Sequence, residues 1–333
     1  MFRTFLLPRV LQMIPVLLGL SILIFFLSRI MPGDPVRLAL GPEATQEQIT
    51  QYRHELGLDL PLPQQYSQYM KGLLTGHLGH SLRTNRDVSQ DLADSFPATL
   101  ELVLAAMVIA VGVGVPLGVV AGIRKDKWED QLTRVVALGG IAMPRFWLGI
   151  LLQLLFASVF HLLPAIGRGD IHPTQITGLY LLDSLLTGDT PAFWSSLKSI
   201  LLPAITLSLA SLAQIMRLTR SNMIEETRRD YILASTAYGV PRLLVVAKYM
   251  LKNAFGTTLT TIGLTFGYLL GNAFLVEVVF AWPGMASYGV EAVIGKDFNA
   301  VVGVTMVIGV TFLLTNLLVD LLYGWLDPRI KYS

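Results

Sequence analysis

The sequence predicts an all-α integral membrane protein with six transmembrane helices and a helical extracytoplasmic loop domain. Three observations carry this. Of the 333 residues, 53% are hydrophobic and only 14% charged, against about 25% charged in an ordinary soluble domain. The charges cluster, leaving six apolar windows long enough for the roughly 20 residues that a bilayer core requires. The density of Lys and Arg then alternates from one connecting segment to the next. Such a composition excludes a disordered chain. With no cysteine there is no disulfide scaffold, thiolate metal site or thiol nucleophile. A net charge of +2 gives no footprint for nucleic acid.

The first window, Val10 to Ser28, is bracketed by Arg9 and Arg29. It outruns the ~7–15 residues of a signal-peptide core and no small-residue cleavage site follows, so it reads as an uncleaved anchor. The second is Leu102 to Ile123. The third, Val135 to Phe160, is interrupted by Pro144 and Arg145. The fourth, fifth and sixth are Ser199 to Met216, Gly256 to Val276 and Phe298 to Val319. Six spans put both termini on one side. Arg124, Lys125, Lys127 and Arg134 follow the second window. Arg217, Arg220, Arg228, Arg229, Arg242, Lys248 and Lys252 follow the fourth. The opposite segments 161–198 and 277–297 carry only Arg168, Lys198 and Lys296; the long 29–101 loop contains six basic residues, but long loops translocate largely regardless of charge. Positive residues favour the cytoplasm, so both termini and segments 124–134 and 217–252 are expected there.

Three regions follow: 1–28, the N-terminus and first span; 29–96, an outer helical loop; and 97–333, a five-helix core with a cytoplasmic loop at 217–254. In the outer loop, Pro32-Gly33-Asp34-Pro35 stops the first helix. Thr45 and Gln48 resemble a capping box, with Gly57 as the C-terminal stop. Tyr66, Tyr69, Met70, Leu73 and Leu74 form a face at helical spacing, and a helix from Val88 to Phe96 ends at Pro97. In the cytoplasmic loop, Asp230 caps a helix from Tyr231 to Tyr238, stopped by Gly239 and Pro241. Its small centre invites another backbone close; the alternative is an ordinary connector.

That segment resembles the E-A-A loop of bacterial ABC importer permeases. Anchored on Gly239, Leu233, Ala234 and Ser235 stand at the E-A-A positions; Tyr249, Leu251 and Lys252 stand at the distal Ile, Leu and Pro positions. The dipeptide/oligopeptide/nickel (DppB/OppB-like) branch fits more closely. Its motifs occur in order: Pro32 to Pro35; Phe96 to Leu102; Met143, Pro144, Phe146 and Trp147; Leu202 to Ala204. Next come Arg217, Arg220, Ser221 and Met223, leading to Asp230 to Ile232; Leu251 to Ala254; Phe280, Trp282, Pro283 and Gly284; Asn316 to Tyr323; and Asp327 to Arg329. One departure is Gly76-His77-Leu78-Gly79-His80-Ser81, where the family often has an acid at position 77.

The resemblance implies an ABC type I importer permease fold in a bacterial or archaeal cytoplasmic (inner) membrane. It implies a second homologous permease subunit, two ATPase subunits that hold ATP and Mg, and an extracytoplasmic substrate-binding protein. The chain itself would be no enzyme and carry no cofactor. Cargo would be di- or oligopeptides or a related small solute. Arg228, Asp230, Tyr231, Ala234, Ser235, Ala237 and Gly239 would couple to an ATPase.

Inside the spans, Arg145 either lines the translocation path or satisfies carbonyls freed at the Pro144 break. Gln153 and Asn272 either face the path or link helices. Gly114, Gly118 and Gly122, and Gly263, Gly267 and Gly271, recur every fourth residue and suggest close helix contact, with a dimer or gate surface as one use. Glu277 and Asp320 read as solvated near the membrane surfaces. His77 and His80 lack a third ligand and read as exposed loop histidines, with no metal. The windows contain no acid, which argues against a gradient-driven transporter. Gly289 to Asp297 misses the P-loop in spacing and last residue, and no hydrolase motif is present.

Overall fold

A computed structural model of the chain describes residues 7–30, 36, 40, 41, 43–55 and 57–326. The Pro32–Pro35 turn, the Asp327–Arg329 motif and the Asp320 side chain lie outside the described residues. The helices are α1 Leu7–Ile30, α2 Gln46–Glu55, α3 Leu62–Thr75, α4 Val88–Ile123, α5 Trp128–Ala142, α6 Arg145–Leu152, α7 Tyr180–Thr187, α8 Thr190–Thr227, α9 Asp230–Ala237, α10 Leu251–Val279, α11 Met285–Ile294 and α12 Phe298–Leu326. π-Helical passages extend α6 over Gln153–Val159 and lead into α10 over Val245–Met250.

Among the described residues, five helices are long and apolar enough to cross a membrane: α4, α8 and the stretches Pro8–Leu27, Thr258–Val279 and Phe298–Val319. The third window is not one straight span. α5 and the extended α6 are bent by 108° at their break, and supply a sixth span only as a pair. Pro144 causes the break: Met143 before it is extended, at φ −76° and ψ 128°, as the residue preceding a proline prefers. At Pro97 the expectation fails, because α4 runs through it. Proline removes one donor, and the burial of Leu92, Ala98 and Leu102 on both sides holds the helix together.

The chain forms two compact units, residues 1–99 with 283–313 and residues 100–282 with 314–333. In the first, α3 docks on α1: the Ser21 and Tyr66 hydroxyls lie 2.8 Å apart and Phe25 packs edge-on against Tyr66. Leu73 of the predicted α3 face joins this cluster, whereas Leu74 is 81% exposed. The capping box at α2 is reciprocal, with Thr45 N–H donating to Gln48 Oε1 at 2.9 Å and Gln48 N–H to Thr45 Oγ1 at 3.3 Å. Asp297 caps α12, accepting from Ala300 N–H at 3.2 Å, and also receives the Ser81 hydroxyl at 2.5 Å. This bond pins the loop containing His77 and His80.

In the second unit α8 is the central helix. Gly114, Gly118 and Gly122 face it so closely that a Cβ would come within 3.0 Å of Leu212 O, 2.6 Å of Met216 O and 2.6 Å of Met223 Cβ respectively. This ladder is intrachain packing rather than a dimer or gate surface. The second ladder divides: Gly263 abuts Val319, while a Cβ on Gly271 would meet nothing within 4 Å.

Candidate functional site

Two places in the second unit collect the residues singled out by sequence. The first is α9 and its flanks. Arg228 ends α8, Arg229 stands at the N-cap of α9, and Asp230 is the first helical residue rather than a side-chain cap. The start is secured instead by an external tie. The Tyr231 hydroxyl donates to Glu226 and accepts from Asn253 Nδ2 at 2.9 Å. Burial pushes the Tyr231 phenol pKa up, and the neighbouring Glu226 adds to this. The end is a Schellman motif: Gly239 at φ +73° donates to Thr236 O at 3.0 Å and Val240 N–H to Ser235 O at 3.1 Å. Ser235 also bonds back to Tyr231 O at 2.7 Å.

α9 has one anchor. Ile232 is buried in a cluster with Met223 of α8, Val245, Met250 and Ala254 of α10. Most of the rest of α9 is open: Leu233, Ala234, Ala237 and Tyr238 are exposed, Tyr238 at 87%. A rigid helix of eight residues, about 12 Å long, thus presents an apolar face while its underside joins two long helices.

The second place is the break between α5 and α6. Arg145 opens α6 and its guanidinium carbon lies 4.9 Å from the centroid of the Tyr268 ring on α10. Asn272, one turn along α10, donates Nδ2 to Tyr268 O at 2.7 Å. Gln153 donates Nε2 to Ala165 O at 2.8 Å and to Val279 O at 3.0 Å. Arg145 and Gln153 therefore reach α10 from the α6 side, and Asn272 bonds back one turn within α10. Arg145 and Asn272 share Tyr268.

Two ion-pair centres escaped the sequence reading. Asp130 is fully buried and accepts from Arg220 Nε at 2.5 Å, Arg220 Nη2 at 2.8 Å, Arg134 Nη2 at 2.5 Å and Asp126 N–H at 2.9 Å. Glu101 and Arg168, both buried, meet at 2.5 Å; Glu101 also accepts from Leu181 N–H at 2.7 Å. Arg168 lies 3.8 Å above the Tyr180 ring and donates to Gly178 O at 2.7 Å. Glu101 and Arg220 both sit in the quoted motifs, which marked them without telling what they touch. Glu277 is also fully buried, contrary to its reading as a solvated surface group. His77 bonds Thr75 Oγ1 at 3.3 Å and His80 pairs with Asp87 at 3.1 Å. Among the described residues no group of three or more His, Asp or Glu could hold a metal.

A polytopic helical bundle with a broken span, and a short exposed helix between two of its long helices, is the architecture of a membrane-embedded subunit. The chain belongs to the binding-protein-dependent transport system inner membrane component family, whose sequence pattern matches residues 114–332. The companion N-terminal pattern of the same systems matches residues 1–103. Among relatives, the probable D,D-dipeptide transport system permease protein DdpB of Escherichia coli is 42% identical over 318 residues, covering 95% of this chain and 94% of that protein. The dipeptide transport system permease protein DppB of Alkalihalophilus pseudofirmus is 41% identical, covering 97% and 98%. A chain of the MetNI methionine ABC transporter, solved in inward-facing conformations, superposes with a TM-score of 0.52 at 16% identity. It covers 69% of this chain and 93% of its own, a likeness of fold. The chain is thus a multi-pass membrane permease subunit of an ABC importer.

Proposed function

We propose that this permease carries di- or oligopeptides, or a closely related small solute, across a bacterial or archaeal inner membrane. A second homologous permease completes the pathway, an extracytoplasmic binding protein delivers the cargo, and two ATPase subunits hold ATP and Mg. Both termini and α9 lie in the cytoplasm, as the Lys and Arg distribution favours. The names of the relatives support the cargo class.

The observation that carries the coupling is α9, an exposed apolar face on a rigid unit wedged by Ile232 between α8 and α10. Seated in a groove of an ATPase, it converts closure of that groove into a rigid-body movement of two long helices. Arg228, Asp230, Tyr231, Ala234, Ser235, Ala237 and Gly239 form this element. Arg145, Gln153 and Asn272 line the pathway from the α6 and α10 sides.

The test replaces Gly239 with Pro, whose φ near −65° is incompatible with the observed +73°, or Ala234 with Trp, which buries the docking face. Peptide uptake falls at least tenfold, or the ATPase subunits no longer co-purify, while membrane insertion is intact. Unchanged uptake with unchanged ATPase retention refutes the assignment.

A further inference from the structure

Arg145 is the one basic residue within the six apolar windows. It stacks over Tyr268, which stands midway along the span Thr258–Val279, about 15 Å from either end at ~1.5 Å per residue. A cation is therefore held midway along an apolar span, partly buried. Among the described residues no carboxylate lies within ion-pair distance of it.

Its surroundings raise the demand for an anion. Arg145 is the first residue of α6, where unsatisfied N–H groups already carry partial positive charge. The aromatic face below restrains the guanidinium but leaves its charge unneutralised. Beside it, α10 is open: Tyr268 is 50% exposed, and a Cβ on Gly271 would meet nothing within 4 Å. A planar guanidinium with one face against a ring offers its edge as a fork for a carboxylate.

We propose that Arg145, steadied by Tyr268, receives the free carboxylate of the cargo midway across the membrane, so that the importer's cargo class is small molecules bearing a carboxylate. This rests on the importer reading above. The partly exposed position keeps the contact weak enough to release the cargo, as conduction through successive sites requires. The same chemistry has another source, a carboxylate side chain of the second permease, and the experiment separates the two.

The complete importer, with its ATPases and binding protein, is reconstituted in proteoliposomes with Arg145→Lys, Arg145→Gln and Arg145→Glu, using alanyl-alanine as probe. Uptake tracks charge: about threefold below wild type for Lys, about tenfold for Gln and about a hundredfold for Glu, with all subunits still co-purifying. Wild-type uptake by the Gln variant overturns the proposal. So does an equal loss in all three variants, which marks a geometric role. Loss of the second permease from the Gln variant assigns the missing carboxylate to that subunit and also overturns it. A wild-type importer that moves no carboxylate-bearing solute refutes the peptide reading beneath it.

Discussion

The Asp130 centre gives the sharpest test of how this bundle is held. Asp130 has no exposed surface, and two guanidinium groups and one backbone N–H converge on it. The two arginines differ. The Arg134 side chain is 47% exposed, and such a pair contributes under about 1 kcal/mol because water replaces it. The Arg220 side chain is 21% exposed and holds Asp130 in a two-pronged grip. Removing one partner of a buried pair costs about 3–5 kcal/mol, and residual hydration of Arg220 puts this case at the lower end. Asp130→Ala is therefore expected to cost about 3 kcal/mol, and Asp130→Asn, which keeps the shape, about 2 kcal/mol. Unfolding of the purified subunit by SDS titration in mixed micelles measures this. Combining Asp130→Asn with Arg220→Met completes a double-mutant cycle, for which a coupling above about 1 kcal/mol is expected. A single-mutant cost below about 1 kcal/mol, with coupling below about 0.5 kcal/mol, would refute the view that this pair clamps α5 to α8.

Other outcomes follow from the same reasoning. Gly118→Leu should destabilise by more than the ~1–3 kcal/mol of ordinary overpacking, since its Cβ alone would sit 2.6 Å from Met216 O; Gly271→Ala should leave the stability of the isolated subunit within about 0.5 kcal/mol. Comparing detergent melting curves of the two variants checks both. Glu101→Gln should cost about 2–4 kcal/mol by stranding the buried Arg168, and a melting curve like that of wild type would contradict it. Asp183 accepts from Thr177 N–H and Oγ1, Gly178 N–H and Ile176 N–H. Burial pushes its carboxyl up, but these bonds outweigh it and hold the pKa below the ordinary carboxylate value. A depressed folded pKa contributes stability above the unfolded value of ~3.9, lost as pH falls through the folded one. Asp183→Asn should therefore be less stable at neutral pH and lose part of the acid sensitivity below about pH 4, read from melting temperature against pH.

The spans were legible because an apolar run needs no partner to be recognised. Local chemistry was legible for the same reason: the Thr45–Gln48 box and the left-handed Gly239 are decided within a few residues. Pro97 misled because a single lost donor is a local cost that long-range burial offsets. The ion-pair centres were hidden because their partners stand far apart in sequence, 67 residues for Glu101 and Arg168 and 90 for Asp130 and Arg220. Nothing in the local pattern distinguishes these charges from those that serve topology. Counting Arg168 toward orientation was sound as a statistic and blind to its burial.

Placement of charge within the second unit then separates scaffold from pathway. Glu101 is neutralised by Arg168, Asp130 by Arg220 and Arg134, and Asp183 by four hydrogen bonds. Each of these groups fastens one element to another: Glu101 of α4 to the connection carrying Arg168, Asp130 of α5 to Arg220 of α8, and Asp183 of α7 to the segment before it. Arg145 breaks the pattern: it stands midway along a span, opens a helix whose dipole opposes it, and among the described residues rests over an aromatic ring with no carboxylate in ion-pair reach. A fold that compensates these buried charges has the means to compensate this one as well. Leaving the guanidinium unpaired keeps it available to a counter-charge that comes and goes, which a structural ion pair would have excluded.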